Sequence, residues 1–430
     1  MARILLKNGE VYADGSVTKA DVAIDGSVIA GVGEVAAGWQ ADRVIDCTDK
    51  LILPGFVNTH THAAMTLFRS YADDMALMEW LETKIWPAEA RLTGDDVYWG
   101  TLLAIAEMIR SGTTAFADMY FFMDDVARAV AESGVRAALS RGMAGVAPTA
   151  AQALTESEAF YRDWHGGADG RITVMMGPHA PYTCPPDYIK KVTALAAKLG
   201  AEIHIHLAET TGEVAGCVKE HGKSPIALMN ELGLFDLGVL AAHCVHLSAE
   251  DIAILKEKKV RVAHNPGSNM KLASGAAPVP SLLAAGVTVG IGTDGAASNN
   301  NLDMVEEMRL AALLSKVATL DPLAVPAGQA VDMATAMGAE ALGLGGVTGK
   351  LAPGFKADIT IVDMAASHWH PRHDRLSLLV YSAAAADVHT VMVDGKVLLD
   401  AGRLTTIDEE RVKREAGARG LRLVESGRKP

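Results

Sequence analysis

The chain is 430 residues long, half of them hydrophobic and 21% charged, with a formal net charge of −13 at pH 7. That length calls for a large domain with an appendage, or for several units. The acidic balance excludes a nucleic-acid backbone as partner, because phosphate binding needs a basic surface.

Cys47, Cys184, Cys217 and Cys244 are scattered with no CxxC pair, which excludes a disulfide framework and fits a reducing compartment. The opening MARILLKNGEVYADG turns polar too quickly for a secretion signal. No apolar run reaches the roughly 20 residues of a membrane span. A cytoplasmic protein with no membrane partner is expected.

From the N-terminus, "ARILLKNGEVYADG", "KADVAIDGSVIAGVG" and "DRVIDCTDKLILPG" alternate in period two and are parted by Gly/Asp turns, which predicts strands. "LILPGFVNTHTH" opens a different texture, in which short apolar runs alternate with helical patterns. The runs are "TTAFADM" (113–119), "RAALSRGM" (136–143), "ITVMMGPHA" (172–180), "AEIHIHLAE" (201–209), "GVLAAHCV" (238–245), "VRVAHNP" (260–266) and "VTVGIGTDG" (287–295). Between them, stretches such as "DDVYWGTLLAIAEMIRSG" and "PDYIKKVTALAAKLG" repeat apolar residues at three and four and close on Gly.

Eight βα units over roughly 250 residues predict an α/β fold, a (β/α)8 TIM barrel, here spanning 54–350. A doubly wound open sheet is the alternative, weakened by the lack of a GxGxxG opening the first unit. Strand texture returns in "GKLAPGFKADITIVDM" and "VHTVMVDGKVLLDAGR". Residues 1–53 and 351–430 are therefore expected to form one small β-sandwich domain from both termini, with a C-terminal helical tail. Ala-rich helices offer apolar surface for a homo-oligomer.

His60 and His62 lie two apart behind an apolar run, so they share one face of a strand. Such a pair is either a satisfied polar core or one edge of a metal site. The other unusual polar residues decide for the metal, because they also fall at the C-terminal ends of strand runs. These are His179 on the fourth, His206 and Glu209 on the fifth, His243 on the sixth, His264 and Asn265 on the seventh, and Asp294 on the eighth. In a barrel, active sites are built at that end. Three imidazoles and a carboxylate with an open position suit Zn2+, which lowers the pKa of a bound water. Asp294 and Glu209 are the natural acid–base pair. His204 shares a face with His206 one pleat deeper, so a hydrogen-bonded supporting role is expected there. His165, His221, His246, His368, His370, His373 and His389 read as surface or capping residues.

With these residues placed, the chain resembles the amidohydrolase superfamily, and within it the deaminases that convert 5-methylthioadenosine and S-adenosylhomocysteine. The matching motifs are "PGFVNTHTH", "MGPHAPYTC", "IHIHLAET", "AHCVHL", "VAHNPGSNMKLASG" and "GTDGAASNNNLDM". The resemblance implies His60, His62, His206 and Asp294 as ligands of Zn2+. It implies Glu209 as proton donor to the ring nitrogen, and His243 as the group that holds or polarises the attacking water. It further implies Glu89, Arg141 and His179 as substrate-binding positions, with Glu89 at the ribose hydroxyls. The implied reaction is hydrolytic deamination of an adenine ring, with a small-molecule nucleoside as partner.

"ITVMMGPHA" carries no lysine to bridge two metals, so one ion per subunit is expected. "TCPP" lacks the second cysteine of cytidine-type zinc deaminases. After Arg141 the run "GMAGVAPTAAQAL" holds no second basic residue. Methylthioadenosine and adenosine are therefore expected over the amino-acid-tailed substrate. In "MALMEWLETKIWP", Met75, Met78, Trp80, Leu81, Ile85 and Trp86 are candidates for a methylthio pocket, against ordinary core packing. The alternatives are a ring hydrolase of the same superfamily acting on guanine or a chlorinated triazine, and a non-catalytic scaffold that keeps the fold.

Overall fold

The structure, a computed structural model, describes residues 2–33, 35 and 38–425. Eight parallel strands form the central sheet: β1 (Phe56–Thr61), β2 (Thr113–Tyr120), β3 (Arg136–Met143), β4 (Ile172–Pro178), β5 (Ile203–Leu207), β6 (Val239–His243), β7 (Arg261–His264) and β8 (Val289–Ile291). Neighbours pair in chain order from β1 to β8. The seam between β8 and β1 is closed mainly by a side chain. Asn58 Oδ1 accepts from Thr293 N at 3.0 Å, and Asn58 Nδ2 donates to Thr293 Oγ1 at 2.8 Å. One step further, Asp294 N donates to His60 O at 2.9 Å. The expected barrel is the observed one.

Helices cover the strands as the periodicity predicts. Gly94–Arg110 starts on a capping box in which Thr93 and Asp96 satisfy each other's backbone, and it buries Val97, Leu102, Ile105 and Ile109. Pro186–Leu199 ends on Gly200 in the left-handed region.

The chain ends share a second sheet of nine strands. Its order is 403–404, 396–400, 388–393, 359–363, 50–54, 3–13, 16–25 and 28–33, with 43–46 paired alongside 3–13. The single apolar run "LILPGFVNTHTH" thus divides between two sheets, 50–54 in this one and β1 in the barrel. The break falls at Gly55, where a Cβ would lie 2.1 Å from Thr114 Oγ1, so only glycine fits. The expected sandwich takes the form of one folded sheet. Strand 3–13 pairs with 43–46 by its first half and with 50–54 by its second, with a register shift between Leu6 and Gly9. Ile4, Val22 and Ile29 from one wing thereby share a core with Ile52, Ile361 and Met392 from the other.

The helix Glu409–Glu425 leaves this sheet and packs on helix Gly94–Arg110 of the barrel. Arg110 Nε donates to Glu409 Oε1 at 3.1 Å and Arg419 Nε to Asp95 Oδ2 at 3.1 Å. No helix among the described residues is long and apolar enough to cross a membrane.

Barrel and sheet are tied by one buried cation. Arg136, at the start of β3, is 2% exposed. Its Nε meets Asp358 Oδ2 at 2.9 Å and its Nη2 meets Asp394 Oδ1 at 2.8 Å, both carboxylates coming from the terminal sheet region. Removing one partner of a buried ion pair leaves the other charges uncompensated. Arg136→Met is therefore expected to lower unfolding free energy by about 3–5 kcal/mol, read from urea denaturation; a loss near zero would show the cluster to be inert.

Candidate metal centre and active site

The strand-end imidazoles converge on one point. The ligand atoms of His60, His62 and His206 lie within 4.8 Å of one another, as do those of His60, His243 and Asp294. Asp294 Oδ1 stands 3.4 Å from His60 Nε2 and 3.3 Å from His62 Nε2, and His206 Nε2 stands 3.3 Å from His62 Nε2. Donors at about 2.0–2.1 Å from one ion in tetrahedral directions stand about 3.3 Å apart. The spacing is that of a divalent-metal site.

Hydrogen bonds on the far side of each ring decide which nitrogen is bare. His62 Nδ1 donates to Met119 O at 2.7 Å and His206 Nδ1 to His179 O at 2.7 Å, so in both rings Nε2 keeps its lone pair. For His60 the argument runs through two more residues. Ser140 Oγ gives its only proton to Asp118 O at 2.8 Å, so it must accept from His204 Nδ1 at 3.1 Å. His204 Nε2 is then an acceptor, and His60 Nδ1 donates to it at 2.8 Å. His60 Nε2 is left bare, buried and without a hydrogen-bond partner. A metal ion would satisfy that orphaned atom. His204 is the supporting histidine its pleat position predicts.

Electrostatics agree with this assignment. Burial holds the His60 imidazole down at about 4, only partly offset by Asp294. Burial and the neighbouring imidazoles hold His206 well below its ordinary value. Neutral rings are what metal binding requires. Burial alone would push Asp294 up, but His60, His62 and His243 outweigh it and keep the carboxyl well below the usual range. Its other oxygen, Oδ2, accepts from Ser268 Oγ at 2.6 Å.

Around the cluster opens a cavity of about 870 Å³, lined by Glu89, Arg141, His179, Glu209, His243 and Asp294 among others. Burial raises the Glu209 carboxyl, with Asp294 adding to the shift and His243 opposing it. Its Oε2 is 3.8 Å from His243 Nε2, and its Oε1 accepts from Ser274 Oγ at 3.3 Å. His243 Nδ1 donates to Asn269 Oδ1 at 2.9 Å, which turns Nε2 to the cavity. Burial pushes the Glu89 carboxyl up to about 7, opposed by Tyr120. His179 Nδ1 bonds Thr183 Oγ1 at 2.9 Å. The segment 75–86 does both things open to it: Trp80, Leu81 and Ile85 are buried and also line the cavity, which the exposed Trp86 lines too. Met75 and Met78 do not line it, and neither does His264.

Three strand ends bend through the left-handed region at non-glycine residues: Ala208, His243 with Cys244, and Asp294. Such backbone persists where surrounding structure over-determines it.

Residues 51–398 match the model of the amidohydrolase family. The chain belongs to that family. A 5-methylthioadenosine/S-adenosylhomocysteine deaminase of Pelotomaculum thermopropionicum is 57% identical over 431 residues, covering 99% of each chain. A zinc-bound adenosine deaminase from Xanthomonas campestris superposes with a TM-score of 0.94 at 36% identity, over 98% of both chains. An atrazine chlorohydrolase from Arthrobacter aurescens, at 24% identity and a TM-score of 0.90 over 97% of this chain and all of its own, shares the fold.

Within this amidohydrolase, His60, His62, His206, His243 and Asp294 come together in the cluster, and Glu89, Arg141, His179 and Glu209 line the cavity beside it. The supporting residues were not assigned roles from sequence. Ser268, Asn269 and Ser274 all sit in the quoted "HNPGSNMKLASG", which was their one signal. Glu213 accepts from Ala208 N and Glu209 N, each at 2.8 Å, and so sets the turn that presents Glu209. Ser140 and Glu156 carried no signal.

The Ser140–His204–His60 chain yields a test. Ser140→Ala removes the acceptor that fixes the His204 tautomer. Metal affinity is expected to fall about ten- to a hundredfold, measured by competition with a chromophoric chelator; wild-type affinity would refute the relay.

Proposed function

We propose that this amidohydrolase deaminates the adenine ring of 5′-modified adenosines, giving the inosine analogue and ammonia. The substrates in view are 5-methylthioadenosine, adenosine and S-adenosylhomocysteine, and one Zn2+ is held by His60, His62, His206 and Asp294. The observation that carries this reading is geometric: Asp294 stands 3.4 and 3.3 Å from the imidazole nitrogens of His60 and His62, and the buried Glu209, 3.8 Å from His243, faces the same cavity, with their shifts running oppositely, Asp294 down and Glu209 up. Groups whose environments push their pKa values apart make an acid and a base. The names of the relatives at 57% and 36% identity support the substrate class.

A bound divalent cation supplies a water whose pKa is lowered towards neutral. Asp294, held anionic, takes the proton that this water loses as its oxygen bonds the amine-bearing ring carbon. Glu209, whose carboxyl burial raises, protonates the adjacent ring nitrogen. His243, its Nδ1 tied to Asn269, steadies the water through Nε2. Collapse follows when Asp294 returns its proton to the departing amine; the new hydroxyl's proton resets Glu209. Water is consumed and ammonia released.

Glu89 and His179 would hold the ribose and base, and Arg141 the 5′ tail. A bare guanine or triazine leaves Glu89 without hydroxyls to accept from, so the ring-hydrolase alternative is the weaker one. All four cysteines are free and buried, which supports a reducing, cytoplasmic setting.

Ammonia release from a nucleoside panel, followed with the absorbance change of the adenine ring, tests the reading; activity on triazines alone would overturn it. Glu209→Gln is expected to lower kcat by about 10²–10⁴ with metal content intact. Because donation needs the protonated form, wild-type activity should fall as pH rises through the elevated Glu209 pKa. The variant should lose that alkaline limb. An unchanged profile and rate would remove Glu209 from the mechanism.

A further inference from the structure

Away from the metal cluster the cavity reaches the end of β3, where Arg141 does not stand free. Its Nε and Nη2 donate to Glu156 Oε2 at 3.0 and 2.8 Å, and Gln152 Nε2 donates to Glu156 Oε1 at 2.6 Å. Glu156 comes from helix Ala150–Trp164 and lines the same cavity as Arg141. The Arg141 side chain is 16% exposed and that of Glu156 42%, so both face an incoming tail. The guanidinium also lies 5.7 Å from the Phe121 ring centroid, within cation–π reach.

This arrangement changes what the tail pocket recognises. A lone cation would select a lone carboxylate, but here a carboxylate is already seated beside the cation. A tail bearing only a carboxylate would meet Glu156 as a like charge. A tail bearing both an ammonium and a carboxylate can set its anion against Arg141 and its cation against Glu156. The four charges then alternate. No second basic residue is needed for that, so the lack of one after Arg141 does not exclude an amino-acid tail.

We propose that Glu156 determines specificity at the 5′ tail: with Arg141 it forms a two-sign subsite for the zwitterionic end of an α-amino acid, Glu156 pairing with the ammonium. The proposal rests on the nucleoside-deaminase reading.

The test compares kcat/KM for S-adenosylhomocysteine with that for its des-amino analogue, which keeps the carboxylate alone. Wild type is expected to favour the full tail by at least about tenfold, the worth of one charge-assisted hydrogen bond. In Glu156→Gln that ratio is expected to collapse towards one, whereas loss of mere packing would lower both rates and leave the ratio standing. A wild-type enzyme indifferent to the amino group, or a variant that keeps the wild-type ratio, overturns the proposal. If no nucleoside is deaminated at all, the functional reading fails first. Calorimetric binding of the two compounds to the wild-type protein then judges the subsite alone, and equal affinities would refute it.

Discussion

Three imidazoles can share one ion only if each is forbidden to turn around. Here the prohibition comes from behind: a backbone carbonyl holds Nδ1 of His62, another holds that of His206, and His204 holds that of His60. Each anchor belongs to a different strand from its ring, so closing the barrel and orienting the ligands are the same event. The seam shows this directly. Asp294 N bonds His60 O across the junction of the first and last strands, which brings the Asp294 carboxylate to the His60 ring. A barrel left open at Asn58 and Thr293 would leave His60 and His62 at one free edge and Asp294 at the other, with His206 between them.

That rigidity sets the electrostatic division of labour. Neutral rings and one carboxylate form a compact donor set, and the surrounding low-dielectric wall decides the state of every other acid. At Glu209 burial, helped by Asp294, outweighs the opposing His243 3.8 Å away and raises the carboxyl. Asp294 is close enough that the imidazoles dominate and lower it. Two carboxyls on one cavity thus shift in opposite directions through the balance of burial against neighbouring imidazoles. Glu213 and the left-handed bend at Ala208 fix the turn that presents Glu209.

The barrel was legible because alternation of strand and helix repeats eight times, and the cluster because histidines and acids kept falling at one end of each run. Pleat parity even separated His204 from His206. Other features leave no such trace. "LILPGFVNTHTH" reads as one strand because nothing in its hydropathy marks the handover at Gly55; the reason is a neighbour, Thr114, met only after folding. Small hydroxyl residues such as Ser140 and Ser268 have no periodic signature. Glu156 lies fifteen residues beyond Arg141 on a different element, and it neutralises that cation only once its helix has docked.

The order of strands in the terminal sheet bears on how the protein is made. Strand 50–54 sits between 3–13, made just before it, and 359–363, made some three hundred residues later. While the ribosome is still adding the barrel, that apolar strand has one edge without a partner, and unpaired edges template association with other chains. The nascent protein therefore carries an adhesive flank through most of its synthesis. A chaperone, or early docking of the first barrel unit, would have to shield it until the last sixth of the chain emerges.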